Sequence, residues 1–537
     1  MLFLSNFLIK VSIFAGYLST MRRFLITILA LLSTSLTFAQ PKVAINIIIG
    51  GMRATDLDRY AENFSNDGFK RLKSGGVTFS ECYTNFVPSS DQMALATIAT
   101  GTLPSMHGIS STLWYDRASN NAVIELFKTA HGEFTTEHFL AQTLAEAVKG
   151  SGKNSQAITI AHNASSAISL AGRVSECYWI NEYGNWVTDA CYAKYCPSWI
   201  TAYNEVGFNR IYILGRWYGK LVRSKYINTR STDIEVYDIY SKQKNNQQKK
   251  GSNAWVKEMM ITPAGNSVLF SFAAKIIEQI VASKENQGHK ILNICLDVPR
   301  NIVEKYGPDS IEYEDMLYRL DTTLAEFLSH LDKQFSSSKE YILTLTADHG
   351  VGQSSISQKQ DGFNVKQYEV ILNAFLSAKY GQGNWVLSCE NGAIYLNRDT
   401  IYAKKLSIAQ VQNEAATFVM QFRGVANAVT ATAMQGGVMS SKSAQLMQNS
   451  FYPRRSGDIM YCLQPGYNYI NDSKIAQSGS PYNYDRHVPL IFYGGGISSG
   501  RISRRVDTSA IAVTIASLLG VTTPDCADGE VLYEIDK

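Results

Sequence analysis

The chain has 537 residues, of which 45% are hydrophobic and 18% are charged, and its formal net charge is +4. This composition is that of a globular protein, and the length allows one large domain with insertions or two or three smaller ones. Because the charge is small for the length and no long basic block occurs, nucleic acid is not an expected partner.

The N-terminal region has the features of a secretory signal. From Met21 the chain has two arginines, an apolar stretch over residues 24–32 and small residues before Ala39. These features predict cleavage near Ala39, with residues 1–20 reflecting an upstream choice of start codon; an uncleaved membrane anchor is the alternative. No later stretch is apolar for about 18 residues, so we expect no transmembrane span in the mature chain.

Short apolar runs alternate with helix-like stretches along most of the chain. Strands are predicted over residues 43–50, 155–161, 289–297, 341–348 and 488–496. Helices are predicted over residues 56–74, 138–150, 266–284, 310–335 and 508–520. This alternation predicts an α/β fold with a doubly wound, mostly parallel sheet and helices on both faces.

Two regions break the alternation. Residues 174–260 are rich in tryptophan and tyrosine, and residues 360–465 carry mixed helix and strand signals. We interpret both as cap subdomains inserted into one large domain. The predicted organisation is therefore a targeting segment over residues 1–40 and a single domain with two insertions over residues 41–537.

Three residues that follow predicted strands lie where such sheets bind their ligands. In doubly wound sheets, ligand sites lie outside the carboxyl ends of the strands, and Gly50, Asp297 and Asp348 fall at such ends. Asp348 is followed by His349, and a carboxylate beside an imidazole offers two ligand types that zinc binds. The pair therefore indicates half of a metal site.

Eight segments in order along the chain resemble a known family, among them "GGMRATDLDRY", "ATGTLPSMHGI", "YGPDSIEYEDMLYRLD", "LTADHG" and "SGSPYNYDRHVPLIFYGGGI". They are similar to the single-chain, phosphate-irrepressible bacterial alkaline phosphatases of the type I phosphodiesterase/nucleotide pyrophosphatase branch of the alkaline phosphatase superfamily. The similarity covers nearly all of residues 43–535. It implies an alkaline-phosphatase-type fold and a periplasmic or cell-envelope location in a bacterium.

The resemblance also implies a reaction, the hydrolysis of phosphoric esters at two zinc ions. In that family, aspartate and histidine side chains bind the metals, and a threonine or serine attacks phosphorus. Asparagine, lysine and arginine side chains hold the phosphate oxygens. Each of these positions can be compared with the chain.

The first group of positions departs from the family. Gly50 stands where relatives have a zinc-binding aspartate, in Asp-Gln-Met-Arg. Asp91 stands where relatives have the nucleophilic threonine after Val-Pro-Thr-Tyr. Thr112, Asn163 and Ser165 replace the asparagine, lysine and arginine that hold phosphate. The resemblance therefore implies that the nucleophile and both phosphate-binding cations are absent.

A second group of positions, which bind metal in relatives, also departs from the family. Counted without a gap, Arg300 and Glu304 replace an aspartate and a histidine that bind metal in relatives. A gapped alignment places Asp297 at the aspartate position but leaves no histidine at the required spacing. Ser478 replaces the last histidine ligand, whereas His487 lies in a motif that relatives keep and has a structural role.

Only Asp348 and His349 match the family's ligands. They are either a structural remnant, hydrogen-bonded at a strand end, or part of a reduced site in which Asp91 and a water, with or without Glu304, complete one zinc shell. We hypothesise that Arg300 replaces the metal charge by pairing with these carboxylates, because a guanidinium binds carboxylates bidentately.

These losses predict an exported protein with an alkaline phosphatase fold and a degenerate active site, a pseudophosphatase without a cofactor. It would bind a phosphorylated or sulfated ligand, a glycan or another envelope protein. The alternative is a metal-dependent phosphate mono- or diester hydrolase with a rearranged site around Asp348, His349 and Asp91 and at most one zinc ion. A third possibility is a purely structural envelope component.

Overall fold

The structure is a computed structural model. It describes residues 21–22, 41–207, 216–228, 237–238, 254–282, 288–352, 362–390, 392–470 and 474–536. The rest of the predicted signal segment lies outside the described residues. Residues 41–537 belong to one compact unit. No helix among the described residues is long and apolar enough to cross a membrane.

The strands are numbered in chain order. They are β1 Val43–Ile49, β2 Val77–Tyr83, β3 Leu113–Asp116, β4 Ala122–Glu125, β5 Gln156–Ala161, β6 Glu176–Ile180, β7 Trp186–Val187, β8 Arg216–Trp217, β9 Tyr237–Asp238, β10 Lys290–Leu296, β11 Tyr341–Thr346, β12 Val386–Glu390, β13 Ala393–Leu396, β14 Val425–Thr430, β15 Ile459–Leu463, β16 His487–Val488, β17 Leu490–Gly494 and β18 Gly500–Asp507.

The helices are numbered in the same way. They are α1 Asp56–Arg59, α2 Phe69–Gly75, α3 Asp91–Thr100, α4 Pro104–His107, α5 Leu144–Gly150, α6 Ala164–Ala171, α7 Ser198–Val206, α8 Ala254–Met259, α9 Ala264–Ala282, α10 Val298–Tyr306, α11 Ile311–Gln334, α12 Val365–Tyr380, α13 Arg398–Ala403, α14 Ile408–Val419, α15 Ala431–Gly436, α16 Lys442–Ser450, α17 Asn483–Arg486 and α18 Ala510–Leu519.

The central sheet confirms the predicted α/β class. Its strand order is β16-β2-β17-β11-β1-β10-β5-β6-β7, and β18 pairs with β2. Strands β11, β1, β10, β5 and β6 are parallel to one another, whereas β17 is antiparallel to β11. The sheet is therefore mostly parallel, with mixed pairing toward the β2 edge.

The central strands are hydrophobic because both of their faces are covered. Every residue of β1, β10 and β11 is buried, as expected for parallel strands between helical layers. Helices α5, α6, α9 and α18 pack against strands of this sheet. The carboxyl ends of β11, β1 and β10 consequently meet side by side at one edge of the sheet.

A second sheet lies within the region predicted as the later insertion. It has the order β12-β13-β15-β14, is antiparallel, and has its own cluster of buried residues from 363 to 463. The boundaries of both insertions, at 174–260 and 360–465, stay predictions. Part of the first insertion, including residues 239–253, lies outside the described residues.

Two predicted helices are shorter or more broken than expected. The helix predicted at 138–150 begins only at Leu144, because Thr143 and Glu146 form a capping box that fixes its start. The helix predicted at 56–74 is interrupted between α1 and α2. There the carboxylate of Asp321 accepts hydrogen bonds from the backbone amides of Ser65 and Phe69. The residues between α1 and α2 include types that favour turns over helices.

Candidate functional site

Four segments meet at the carboxyl edge of the sheet and position the candidate site. Strands β10 and β11 flank β1, so Asp297 and Asp348 lie on either side of Gly50. Helix α10 follows Asp297 directly and carries Arg300 in its first turn. Helix α3 begins at Asp91, whose side chain contacts both Arg300 and His349.

Arg300 is the centre of this arrangement. Its side chain is only 4% exposed and contacts three carboxylates: Nε lies 3.0 Å from Asp91, Nη2 lies 2.5 Å from Asp297 and Nη1 lies 2.7 Å from Asp348. We call these the three site carboxylates. Burial acts to lower the pKa of Arg300, but the carboxylates outweigh burial and raise this pKa well above its ordinary value. The predicted pairing of Arg300 with Asp91 and Asp348 is confirmed, whereas its third partner is Asp297 and not Glu304.

Gly50 makes room for the guanidinium of Arg300. A Cβ atom at position 50 would lie 3.0 Å from Cβ and 3.1 Å from Nη1 of Arg300, and 2.9 Å from the carbonyl oxygen of Leu296. Any side chain at this position therefore competes with Arg300 for the same space. Glycine at position 50 and arginine at position 300 are therefore sterically coupled.

Gly50→Ala is expected to lower the free energy of unfolding by about 1–3 kcal/mol, because the added methyl group overpacks the site and displaces Arg300. Urea denaturation followed by circular dichroism measures the change. The control is Gly150→Ala, since a Cβ atom at position 150 meets no atom within 4 Å. Equal stability of Gly50→Ala and wild type would show that the two positions are not coupled.

His349 is doubly protonated in this network. Its Nδ1 lies 2.8 Å from the carbonyl oxygen of Gly350 and its Nε2 lies 2.9 Å from a carboxylate oxygen of Asp91. Both partners accept hydrogen bonds, so both ring nitrogens carry protons. Burial acts to lower the pKa of His349, but Asp348 and Asp91 outweigh it and raise this pKa to about 9.

The site carboxylates have other donors besides Arg300. One oxygen of Asp348 accepts from the backbone amides of Gly51 at 2.8 Å and His349 at 2.7 Å. Asp297 accepts from the Ser166 hydroxyl at 2.6 Å and from the backbone amide of Asn163. These contacts compensate the burial of the carboxylates in the manner expected for charged groups inside a protein.

One group of side chains has the composition of a metal site. Asp91, Asp348 and His349 offer ligand atoms that all lie within 4.8 Å of one another, and the part of the chain that the structure describes contains no second such group. Arg300 contacts both of these carboxylates. A zinc ion would therefore require Arg300 to move away and His349 to lose the Nε2 proton, so the arrangement does not fit a bound metal.

Glu304 lies outside this group. It faces Lys474, whose Nζ is 3.1 Å from the carboxylate. Burial raises the pKa of Glu304, and Lys474 opposes this shift. As a candidate metal ligand Glu304 stays a prediction, and the structure gives it a different partner.

The three positions that hold phosphate in relatives do not act as one unit. Thr112 lines the cleft beside Asp91. Asn163 instead caps α6, with its side chain accepting from the amide of Ser166. Ser165 lies in the same helix, where its carbonyl oxygen accepts from the Ser169 hydroxyl. Neither Asn163 nor Ser165 is among the residues that line the cleft.

The cleft is an opening of about 280 Å³ above Asp91. Its walls are rich in hydroxyl groups, and they carry three carboxylates and one lysine among the described residues. The lining residues are Pro88, Ser89, Ser90, Asp91, Met93, Ser110, Ser111, Thr112, Leu113, Glu304, Glu390, Ala393, Tyr395, Ser456, Gly457, Met460, Tyr469, Lys474, Gln477, Ser478 and Gly479. Strands of the second sheet and residues of helices α3 and α10 therefore contribute to the cleft.

Sequence reasoning missed the parts that two residues play. Asp297 was placed at a strand end beside Gly50 and Asp348, but its contact with Arg300 was not predicted. Lys474 gave no signal, because its contact with Glu304 joins segments 170 residues apart. Ser478 lies where the family's last ligand was expected, 3.5 Å from Nε2 of His349.

Comparisons with known proteins support the family and the fold. The profile of the family described as "Type I phosphodiesterase / nucleotide pyrophosphatase" matches residues 44–487. Alkaline phosphatase PafA of Elizabethkingia meningoseptica is 25% identical over 519 residues, which are 92% of this chain and 94% of the relative. Alkaline phosphatase PhoV of Synechococcus elongatus is 25% identical over 525 residues, covering 93% and 94% of the two chains.

Solved structures share the fold. The crystal structure of wild-type PafA superimposes with a TM-score of 0.84 and 23% sequence identity, and the match covers 93% of this chain and 99% of PafA. Murine ectonucleotide pyrophosphatase / phosphodiesterase 5 is more distant, with a TM-score of 0.55, 13% identity and coverage of 91% and 97%.

Proposed function

Because this chain belongs to the type I phosphodiesterase / nucleotide pyrophosphatase family, we propose that it is a pseudophosphatase. In this proposal the chain keeps the alkaline phosphatase fold, has lost ester hydrolysis, and acts by binding a ligand in the cleft. The observation that carries the proposal is the buried guanidinium of Arg300, which contacts all three site carboxylates.

Arg300 supplies charge but not metal chemistry. A guanidinium stays charged at every accessible pH and holds carboxylates through hydrogen bonds. It has no coordination position for a water or a phosphate oxygen, so it cannot generate a hydroxide or an alkoxide as a metal does. The fold thus keeps a neutralised site, while the means of activating a nucleophile is lost.

A metal ion would have to compete with this arginine. Two unit charges 4 Å apart interact by about 4 kcal/mol at an effective dielectric constant near 20, and a dication near a guanidinium is repelled more strongly. The proton on Nε2 of His349 is a second obstacle, since a histidine binds metal through a neutral nitrogen. Both features favour the metal-free state.

Asp91 is poorly placed to act as a nucleophile. One of its oxygens contacts Arg300 and the other contacts His349. Burial acts to raise the pKa of Asp91, but these two cations outweigh it and lower this pKa below its usual range, which weakens its basicity. Each missing electrostatic group also reduces the rate about 10²–10³-fold in comparable enzymes, although such losses are not additive.

A second candidate function is hydrolysis at one zinc ion held by Asp348, His349 and Asp91. The close spacing of their ligand atoms favours this alternative, as do the relatives that carry the name alkaline phosphatase. It requires a state in which Arg300 has left the site. The two candidates therefore differ in where the guanidinium lies when zinc is present.

We also propose export to the periplasm or cell envelope, on the basis of the basic residues, apolar stretch and small residues between Met21 and Ala39. Expression of the full chain in a Gram-negative bacterium tests this. Recovery in the periplasmic fraction with a new N-terminus near Gln40 is expected. Retention of the unprocessed chain in the cytoplasm contradicts the proposal.

Turnover of p-nitrophenyl phosphate and bis-p-nitrophenyl phosphate by the purified protein is expected to stay at the level of the protein-free blank, with and without added zinc. Elemental analysis of the same sample is expected to find far less than one zinc ion per chain. A family member that hydrolyses these esters serves as the positive control. Turnover that disappears in Asp348→Ala, together with near-stoichiometric zinc, would establish the hydrolase instead.

A further inference from the structure

We propose that the cleft binds a hydroxyl-rich ligand that carries no negative charge, of the saccharide class, and discriminates against phosphate esters. This inference rests on the proposed function, since it assigns the ligand of a site that no longer hydrolyses esters. It departs from the substrate class that the fold suggests, and it follows from the charges and hydrogen-bonding groups on the cleft walls.

The charge of the cleft opposes an anion. Among the described lining residues, the carboxylates of Asp91, Glu304 and Glu390 face one cation, Lys474. Lys474 is already paired with Glu304. Arg300 lies behind Asp91 and is shared among the three site carboxylates, so its charge is committed as well. An entering phosphate monoester would meet carboxylates without an uncommitted cation to hold its oxygens.

Hydrogen-bonding capacity leads to the same conclusion. A carboxylate only accepts hydrogen bonds, and so does a fully ionised phosphate group. The two therefore cannot satisfy each other. A sugar hydroxyl donates to a carboxylate and accepts from a serine or lysine, so it matches the mixed walls of this cleft. A polyamine would satisfy the carboxylates but offers few acceptors to the hydroxyl groups.

Two hydroxyls at the cleft have no partner of their own. The Oγ atoms of Ser89 and Ser110 are buried and make no hydrogen bond within the described part of the chain. Ser110 is only 6% exposed, and both residues belong to the cleft lining. Because both Oγ atoms are closed to solvent, a ligand reaches them only when the serine side chain rotates toward the cleft. In that rotamer a ligand hydroxyl can recover the free energy that a buried hydroxyl without a partner costs.

The size and aromatic content of the cleft suit a small saccharide. A volume of about 280 Å³ lies just below the range of about 300–1,000 Å³ for drug-sized ligand pockets. Tyr469 is partly exposed in the lining, whereas Tyr395 is only 1% exposed, so Tyr469 supplies the ring that combines an apolar face with a polar tip. One or two sugar rings are therefore the expected length.

Binding is tested by isothermal titration calorimetry and thermal shift with cellobiose, maltose, N,N′-diacetylchitobiose, glucose and glucose 6-phosphate. We expect at least one uncharged sugar to bind and to raise the melting temperature in a concentration-dependent way. Glucose 6-phosphate is expected to bind at least 10-fold more weakly than glucose. Tighter binding of glucose 6-phosphate than of glucose, or no binding of any uncharged sugar, would overturn the inference.

Two variants test whether the sugar binds in the cleft. Glu390→Gln removes a lining carboxylate and is expected to weaken binding of the uncharged sugar at least 5-fold. Glu340→Gln removes an exposed carboxylate outside the cleft and is expected to leave binding unchanged. Equal effects of the two variants would place the sugar elsewhere.

These outcomes are separate from those of the proposed function. Ester turnover would refute the pseudophosphatase, whatever the protein binds. Preference for glucose 6-phosphate without turnover would refute only the ligand assignment.

Discussion

Arg300→Met is expected to lower the free energy of unfolding by about 3–5 kcal/mol, because removing one partner of a buried ion pair leaves uncompensated charge. Here the change leaves three buried or partly buried carboxylates without their shared cation. Methionine keeps much of the side-chain volume, so the loss reports mainly on charge. Chemical denaturation of wild type and variant at pH 7 measures the difference.

The matched control is Arg504→Met. Arg504 also contacts two carboxylates, Glu530 and Glu534, but its side chain is 38% exposed. Surface ion pairs contribute about 0–1 kcal/mol, so this variant should remain close to wild type. If the free energy of unfolding falls by the same small amount in both variants, Arg300 does not act as the internal counterion.

The effect of added zinc on the melting temperature of Arg300→Met is a second measurement. With the guanidinium removed, the three site carboxylates have space and charge for a cation, so added zinc should raise the melting temperature of the variant more than that of wild type. A larger zinc effect on wild type would mean that the metal binds despite Arg300. That result would support the hydrolase alternative.

Stability should fall by about 3 kcal/mol as the pH rises from 6 to 10, through the deprotonation of His349 alone. The pKa of His349 is raised from 6.5 to about 9 in the folded protein, and each pKa unit corresponds to about 1.4 kcal/mol. A raised histidine pKa contributes stability that is fully present below the unfolded pKa of 6.5 and is lost as the pH passes through 9. Above that pH the neutral ring no longer pairs with Asp91.

Other groups titrate in the same pH range, so the effect is isolated by comparison with His349→Gln. The difference in free energy of unfolding between wild type and this variant should shrink as the pH rises from 7 to 10. His131→Gln is the control, because His131 is exposed. If the difference in free energy of unfolding between wild type and His349→Gln stays constant with pH, the ring is not protonated in the folded state.

The sequence predicted the class of fold because the strands of the central sheet are continuous apolar runs bounded by turns. Residues 43–49 and 341–346 form buried strands close to the predicted ranges. Residues 138–143 were predicted as part of a helix, yet the helix starts after Thr143. Periodicity did not reveal that boundary, because the capping contacts depend on two specific side chains rather than on the apolar pattern.

The site was predicted in part. The sequence has arginine at position 300, where the resemblance implies a metal-binding aspartate. The pairing of Arg300 with carboxylates followed from charge alone. The pairing of Lys474 with Glu304 could not be predicted, because it joins segments 170 residues apart that a linear pattern does not connect. The helix cap at Asn163 is a local contact with the amide of Ser166, and the preference of asparagine for the position before a helix was the signal that could have indicated it.

Under the proposed pseudophosphatase, the steric conflict between position 50 and Arg300 determines how metal chemistry could arise at this site. An aspartate introduced at position 50 would clash with Arg300, whereas removing Arg300 first would leave buried negative charge without its counterion. Each single substitution is therefore unfavourable, and only a paired exchange avoids both penalties. Selection acting on one substitution at a time would find a metal site hard to reach on this scaffold.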